Sequence, residues 1–147
     1  MICCGPRGEY HLTWDIPNTR FSKAMPGDHV RELQLDPHSA VIAVTHDPKL
    51  DDLALLEARK SPAFYVGALG SRGNTAKRRE RLAMFYLSPA EIDRLHGPVG
   101  LDFGGKTPAE IAVSIIAGLV AVKNGTTLPQ EKVSSAIPAS PDACARS

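Results

Sequence analysis

Three short stretches of this chain gather residue types that could hold an anion or move a proton: Thr45-His46-Asp47, Gly67-Ala68-Leu69-Gly70-Ser71-Arg72-Gly73 and Gly104-Gly105-Lys106-Thr107. In the first, His46 suits proton transfer or ligation near neutral pH. Asp47, Asp51 and Asp52 add carboxylates close by in sequence. In the second, glycines let the backbone approach a ligand, Ser71 offers a hydroxyl, and Arg72 can grip an oxyanion with its guanidinium fork. In the third, Lys106 supplies a point charge, and Thr107 suits the N-cap of the helix that follows. Both glycine-rich stretches lead into helix starts, where unpaired N–H groups and the positive end of the dipole favour phosphate or carboxylate. The plainer alternative keeps Asp47 and Asp51 as helix caps, His46 as a turn residue and Arg72 as a solvated side chain. The second stretch is not a G-x-G-x-x-G turn, and it lacks the G-K-[ST] ending of a phosphate-binding P-loop.

The elements that must position these stretches follow from periodicity. Met1–Cys4 is a short apolar run ending at Gly5-Pro6, as a strand entering a turn would. Gly8–Asn18 is polar and irregular, with Trp14 as its one large anchor. Asp28–Leu35 fits a short helix. Ala40–Thr45 is apolar and β-branched, the signature of a strand buried on both faces. Leu50–Arg59 shows a helical apolar face. Ala63–Val66 reads as the next strand and Thr75–Phe85 as the next helix. Ser88-Pro89-Ala90-Glu91 and Thr107-Pro108-Ala109-Glu110 repeat one message: hydroxyl at the N-cap, proline first, glutamate third. The second of these opens Pro108–Val122, apolar nearly all round, which Asn124-Gly125 closes. Strands alternating with helices predict an α/β domain with a mainly parallel sheet and flanking helices.

Bulk properties narrow the function. The 147 residues suit one domain over 1–125, followed by a Ser-, Pro- and Ala-rich tail over 126–147 expected to be disordered. A net charge of +1 provides no global field for nucleic acid or an anionic membrane. The Lys77-Arg78-Arg79-Glu80-Arg81 cluster reads as a solvated helix face, because no aromatic residues interleave it. Cys3, Cys4 and Cys144 make neither a disulfide framework nor a zinc site, and they fit a reduced cytoplasmic compartment. Cys3-Cys4 reads as two small hydrophobes in a strand. No signal peptide is apparent, and the most apolar stretch, Ile111–Val122, is short of the ~20 residues that span a bilayer.

THDPKLDD (45–52), SPAFYVGALGSR (61–72), RLHGPVGLDFGGKTPAEIAVSI (94–115) and AVKNG (121–125) closely resemble the C-terminal Rossmann-like domain of the XdhC/CoxI family. These are accessory proteins for the maturation of xanthine dehydrogenase and carbon monoxide dehydrogenase. The resemblance runs from about Cys4 to Gly125. It implies a chaperone domain that binds the molybdenum cofactor (molybdopterin), helps its sulfuration and inserts it into a xanthine dehydrogenase-type molybdoenzyme, without turning over a metabolite. It also implies that Gly67, Gly70, Ser71 and Arg72 line the cofactor site with His46 and Asp47, while Gly104, Gly105, Lys106 and Thr107 close its far side. No catalytic residue and no metal ligand are expected. A cysteine desulfurase and a second copy of the chain are further candidate partners.

The chain departs from the family pattern in ways that shape these expectations. Family sequences usually read C-D-P-R-E-E-Y where this chain has Cys4-Gly5-Pro6-Arg7-Gly8-Glu9-Tyr10, so Gly5 replaces an aspartate and Gly8 a glutamate. Gly73 replaces a usual arginine, and Gly118 a glutamate, weakening the last helix by up to ~1 kcal/mol. The first strand–helix unit of the Rossmann-like domain is not found, which predicts neighbouring strands short of a backbone partner. The expectations that follow are an N-terminally truncated domain, a domain completed by another chain, or an inactive remnant. An NAD(P)-binding oxidoreductase is the alternative from another class, disfavoured because the dinucleotide fingerprint and the ribose-binding acid are missing.

Overall fold

The computed structural model describes residues 1–126 except His46, Tyr86, Asp102 and Phe103; of Tyr10 it describes only the backbone. The expected tail from residue 127 onward, with Cys144, lies outside the described residues. The chain divides between Val99 and Gly100 into two compact units, a boundary that composition does not announce.

The first unit runs β1 (Ile2–Cys4), α1 (Glu9–Leu12), β2 (Arg20–Ser22), α2 (Pro26–Glu32), β3 (Ala40–Ala43), α3 (Pro48–Lys60), β4 (Tyr65–Ala68), α4 (Arg72–Ala83) and α5 (Pro89–Asp93). All strand pairing among the described residues is parallel, as expected, but it is split into two pairs. β1 lies beside β2 with Cys3 opposite Phe21, and β3 lies beside β4 with Val41 opposite Val66. A bridge from Gly67 to His96 extends the second pair on the far side of β4.

Local chemistry explains the elements. Asp47 caps α3 by accepting from the Lys49 N–H at 2.9 Å, with Pro48 in the first turn where its missing N–H costs nothing. Ser88 opens α5 through a reciprocal capping box with Glu91, as its sequence promises. Leu55, Ala58 and Leu82 face inward from α3 and α4 onto Val66, all four fully buried. Full burial of a leucine or valine side chain is worth about 1.5–3 kcal/mol, so this cluster anchors the second pair. Trp14 is an anchor as expected: it packs 5.1 Å from the Phe21 ring and donates its indole N–H to the Thr19 carbonyl.

The second unit contains α6 (Pro108–Lys123), opened by the Thr107–Glu110 capping box and ended at Asn124, with Gly125 at a φ of 68°. Its apolar sequence predicts a buried helix. Ile115 and Gly118 are buried, but Val113, Ile116 and Val120 are exposed. Gly118, expected to be a weak point, is a place of close approach: a Cβ there would stand 3.3 Å from the Gly100 Cα.

Candidate anion-binding site

In an open α/β sheet, ligands bind beyond the carboxyl ends of the strands. In the first unit a cavity of about 310 Å³ opens beyond those ends of β3 and β4. Its lining includes Thr45 and Asp51 from the β3 side, Leu69 and Gly70 from the β4 loop, and Lys77, Arg78 and Arg81 from α4. The strand ends set these positions. β4 continues through Gly67 and Ala68, so the loop begins at Leu69 and turns through Gly70 into α4.

The centre of the site is a buried ion-pair network. Arg78 Nη2 donates to Asp51 Oδ2 at 3.2 Å, with the two side chains 7% and 1% exposed. Arg78 Nη1 donates to the Leu69 carbonyl at 3.3 Å, and Nε stands 3.4 Å from Asp52 Oδ1. One guanidinium therefore ties α3, α4 and the loop after β4 together. The other oxygen of Asp51 accepts from the Thr45 hydroxyl at 2.7 Å and from the Thr45 N–H at 3.3 Å. Burial pushes the Asp51 carboxyl above the usual range, while the Thr45 bonds and Arg78 pull it back toward the charged form. Arg81 forks onto Asp52, with Nε at 2.6 Å and Nη2 at 3.3 Å. Lys77 alone among the cations lining the cavity has no ion pair with any described residue.

The expected site residues take varied positions. Asp47 is an exposed cap on α3, and His46 lies outside the described residues. Gly67 sits inside β4. A Cβ there would stand 2.4 Å from Val99 Cγ1 and 3.1 Å from the His96 carbonyl, so that glycine serves packing. Gly70 lines the cavity at a φ of 153°, strained for any side chain. Ser71 caps α4, accepting from the Asn74 N–H at 3.1 Å. Arg72 is exposed in the first turn of α4.

Gly104, Gly105, Lys106 and Thr107 belong to the second unit. The N–H groups of Lys106 and Thr107 both donate to Glu110 Oε2, at 2.9 and 3.0 Å. Those bonds hold the Glu110 carboxyl below its usual range. Gly105 packs against that glutamate, since a Cβ would stand 2.7 Å from its Cβ. The Lys106 and Thr107 N–H groups are thus spent on their own helix.

The residues missed from sequence are Thr45, Asp51, Arg78 and Arg81 as a network. The expectation of a solvated face for the 77–81 cluster is corrected: Arg78 is buried, and Arg81 folds onto Asp52. The signal is present, because positions 51, 52, 78 and 81 pair two acids with two arginines on consecutive helices. Cys3 and Cys4 lie in β1, and burial pushes both thiols above their ordinary value, which disfavours the thiolate that soft metals or sulfur transfer require. Among the described residues no group of three or more His, Cys, Asp or Glu could hold a metal ion, and no helix is long and apolar enough to cross a membrane.

The XdhC Rossmann domain matches residues 1–119. The chain belongs to the XdhC family. Its fold is accordingly Rossmann-type, with parallel strands and flanking helices. Among curated relatives, it is 33% identical over 97 residues to a probable xanthine dehydrogenase subunit of Bacillus subtilis (strain 168), covering 66% of this chain and 27% of that protein. It is 32% identical over 107 residues to the molybdenum cofactor insertion chaperone PaoD of Escherichia coli (strain K12), covering 73% and 32%. A third relative, the uncharacterized protein YqeB of Escherichia coli (strain K12), is 34% identical over 98 residues, covering 67% of this chain and 18% of that protein. The match therefore spans under a third of each of these relatives. A solved structure of a xanthine dehydrogenase from Bacillus halodurans superposes with a TM-score of 0.66 and 25% identity, over 97% of this chain and 38% of that one.

Proposed function

We propose that this XdhC domain acts as a maturation factor that holds the molybdenum cofactor for insertion into a xanthine dehydrogenase-type molybdoenzyme. One relative is named for cofactor insertion and another for xanthine dehydrogenase, which supports the class of cargo and recipient. The observation that carries the reading is the cavity at the ends of β3 and β4, with three cationic side chains in its lining. The cofactor's pterin ends in a phosphate. Lys77 is suited to take that phosphate, since Arg78 and Arg81 are already paired with Asp51 and Asp52. About 310 Å³ is at the small end for a ligand pocket, enough for the phosphate end and part of a pterin. The role of Arg78 is to fix the Leu69 carbonyl and hence the path of the loop. Gly70 leaves that loop without a side chain where a ligand would approach.

The test is retention of the cofactor. Molybdenum cofactor released from purified xanthine dehydrogenase is mixed with the chain, passed through an ultrafilter, and measured by the fluorescence of its oxidised pterin. Retention that excess NADH does not displace is expected. Retention of NADH with no retention of the cofactor would replace this reading with a dinucleotide-binding one.

A further inference from the structure

A second cavity, of about 550 Å³, adjoins the first within the same unit. Pro48 and Arg81 line both, so the two share a wall. The apolar lining of the second is completed by Leu53, Leu56 and Phe85. Helix geometry makes this groove. Lys49, Leu53 and Leu56 are spaced by four and three along α3 and so lie in one stripe. Leu55, off that stripe, is fully buried in the core, whereas Leu53 is 48% exposed. Phe85 follows the last turn of α4, where its N–H donates to the Leu82 carbonyl at 3.1 Å, and its ring is left half in water. Leucine and phenylalanine side chains half-exposed in one concave site make the composition of a ligand pocket.

The charged members of the lining are few and have capacity to spare. Arg81 spends Nε and Nη2 on Asp52, which fixes the plane of its guanidinium; Nη1 makes no hydrogen bond with any described residue. A guanidinium held in this way offers a flat face for stacking and a free donor at the junction of the two cavities. Asp47 uses Oδ1 to accept from the Lys49 N–H, and its other carboxylate oxygen has no partner among the described residues. The Lys49 ammonium forms no ion pair with any described residue.

We infer that this groove holds the pterin ring of the ligand whose phosphate enters the first cavity. The inference rests on the cofactor reading and extends it, because the first cavity has room for only part of the pterin. A flat fused ring needs apolar walls against its faces and a few polar groups along its edge. Leu53, Leu56 and Phe85 supply the walls. The 2-amino and N3–H groups of a pterin donate, which suits the free oxygen of Asp47, and its 4-oxo oxygen accepts, which suits Lys49. Arg81, at the shared wall, would touch both ends of one molecule.

The probes are the released molybdenum cofactor and 6-hydroxymethylpterin, which carries the ring without a phosphate, each added to the full chain. Leu53→Glu puts a carboxylate into the apolar wall at a half-exposed helix position, so the fold should survive, as circular dichroism would show. It should weaken cofactor binding about tenfold, since a bound ring would strip water from that charge. Phe85→Ala should weaken it about fivefold through lost stacking. In a second measurement, the Leu53 and Leu56 methyl resonances should shift when 6-hydroxymethylpterin is added, and those of the buried Leu82 should not. Cofactor held equally by the parent and Leu53→Glu would overturn the inference and leave the cofactor reading standing. Unmoved Leu53 and Leu56 methyls would overturn it whether or not the cofactor is retained. Shifted methyls in a chain that retains no cofactor would end the cofactor reading and keep the groove as a pterin site.

Discussion

β3 and β4 are neighbours of nearly equal apolarity with different fates. β4 has a strand on one side, the His96 bridge on the other and helices over it, and every residue in it is buried. β3 has β4 on one side and no described strand on the other, and it is only half-buried. The difference teaches that burial belongs to the position in the sheet, with the residues themselves setting only what the position can tolerate. It also explains where the candidate site is rigid: its β4 side is locked by Arg78, while its β3 side ends in an exposed Val44 followed by the Thr45 hydrogen bonds.

That contrast can be broken most severely through Arg78. Arg78→Met leaves Asp51 buried without its cation and is expected to cost about 3 kcal/mol in urea unfolding. Arg78→Lys should recover little of it, because an ammonium cannot serve Asp51, Asp52 and the Leu69 carbonyl together. Next in size is Gly67→Ala in the middle of β4. The new methyl meets Val99, Tyr65 and the His96 carbonyl, and overpacking of this kind costs about 2 kcal/mol by the same measurement.

Thr45→Val probes the β3 end, with an expected loss of about 1.5 kcal/mol at pH 7 from bonds to a buried carboxylate. The sign with pH follows from Asp51. Its bonds with Thr45 favour the ionised form, so the Thr45 contribution is present where Asp51 is charged in the folded state. It fades as pH falls through the folded-state pKa, which burial has raised, so the gap between variant and parent should narrow on acidification. The smallest effect belongs to the open edge: Val44→Ser is expected to change stability by less than about 0.5 kcal/mol.

Much of this is legible in the sequence, and the failures share a cause. The two capping boxes, the strands near residues 40 and 65, and the turn at Asn124-Gly125 depend on neighbours within a few residues, and all are found. β2 escapes a reading by period because Arg20-Phe21-Ser22 is too short and too polar for one to show. The sequence predicts that β4 ends at Val66, since glycine reads as a turn; the strand continues because the Ala68 and Leu69 N–H groups bond the His96 and Ala43 carbonyls, and Val99 and His96 leave room only for glycine at Gly67. The 77–81 cluster reads as a solvated face because no aromatic residues interleave it, and its sequence neighbours give no sign of a buried pairing. The partners of Arg78 and Arg81 lie 27 and 29 residues upstream, in α3. Long-range pairing decides each of these cases.

The central functional claim is that Lys77 meets the phosphate end of the cofactor in the cavity beyond β3 and β4. The most direct test measures the affinity of the chain for the released molybdenum cofactor before and after Lys77→Glu. The substitution lies on an exposed face of α4 and should leave the fold intact, as circular dichroism would confirm. The account predicts at least a tenfold loss of affinity, equivalent to about 1.4 kcal/mol, and a binding constant that weakens with added salt. An unchanged affinity in a folded Lys77→Glu chain would contradict it and move the cofactor away from this cavity.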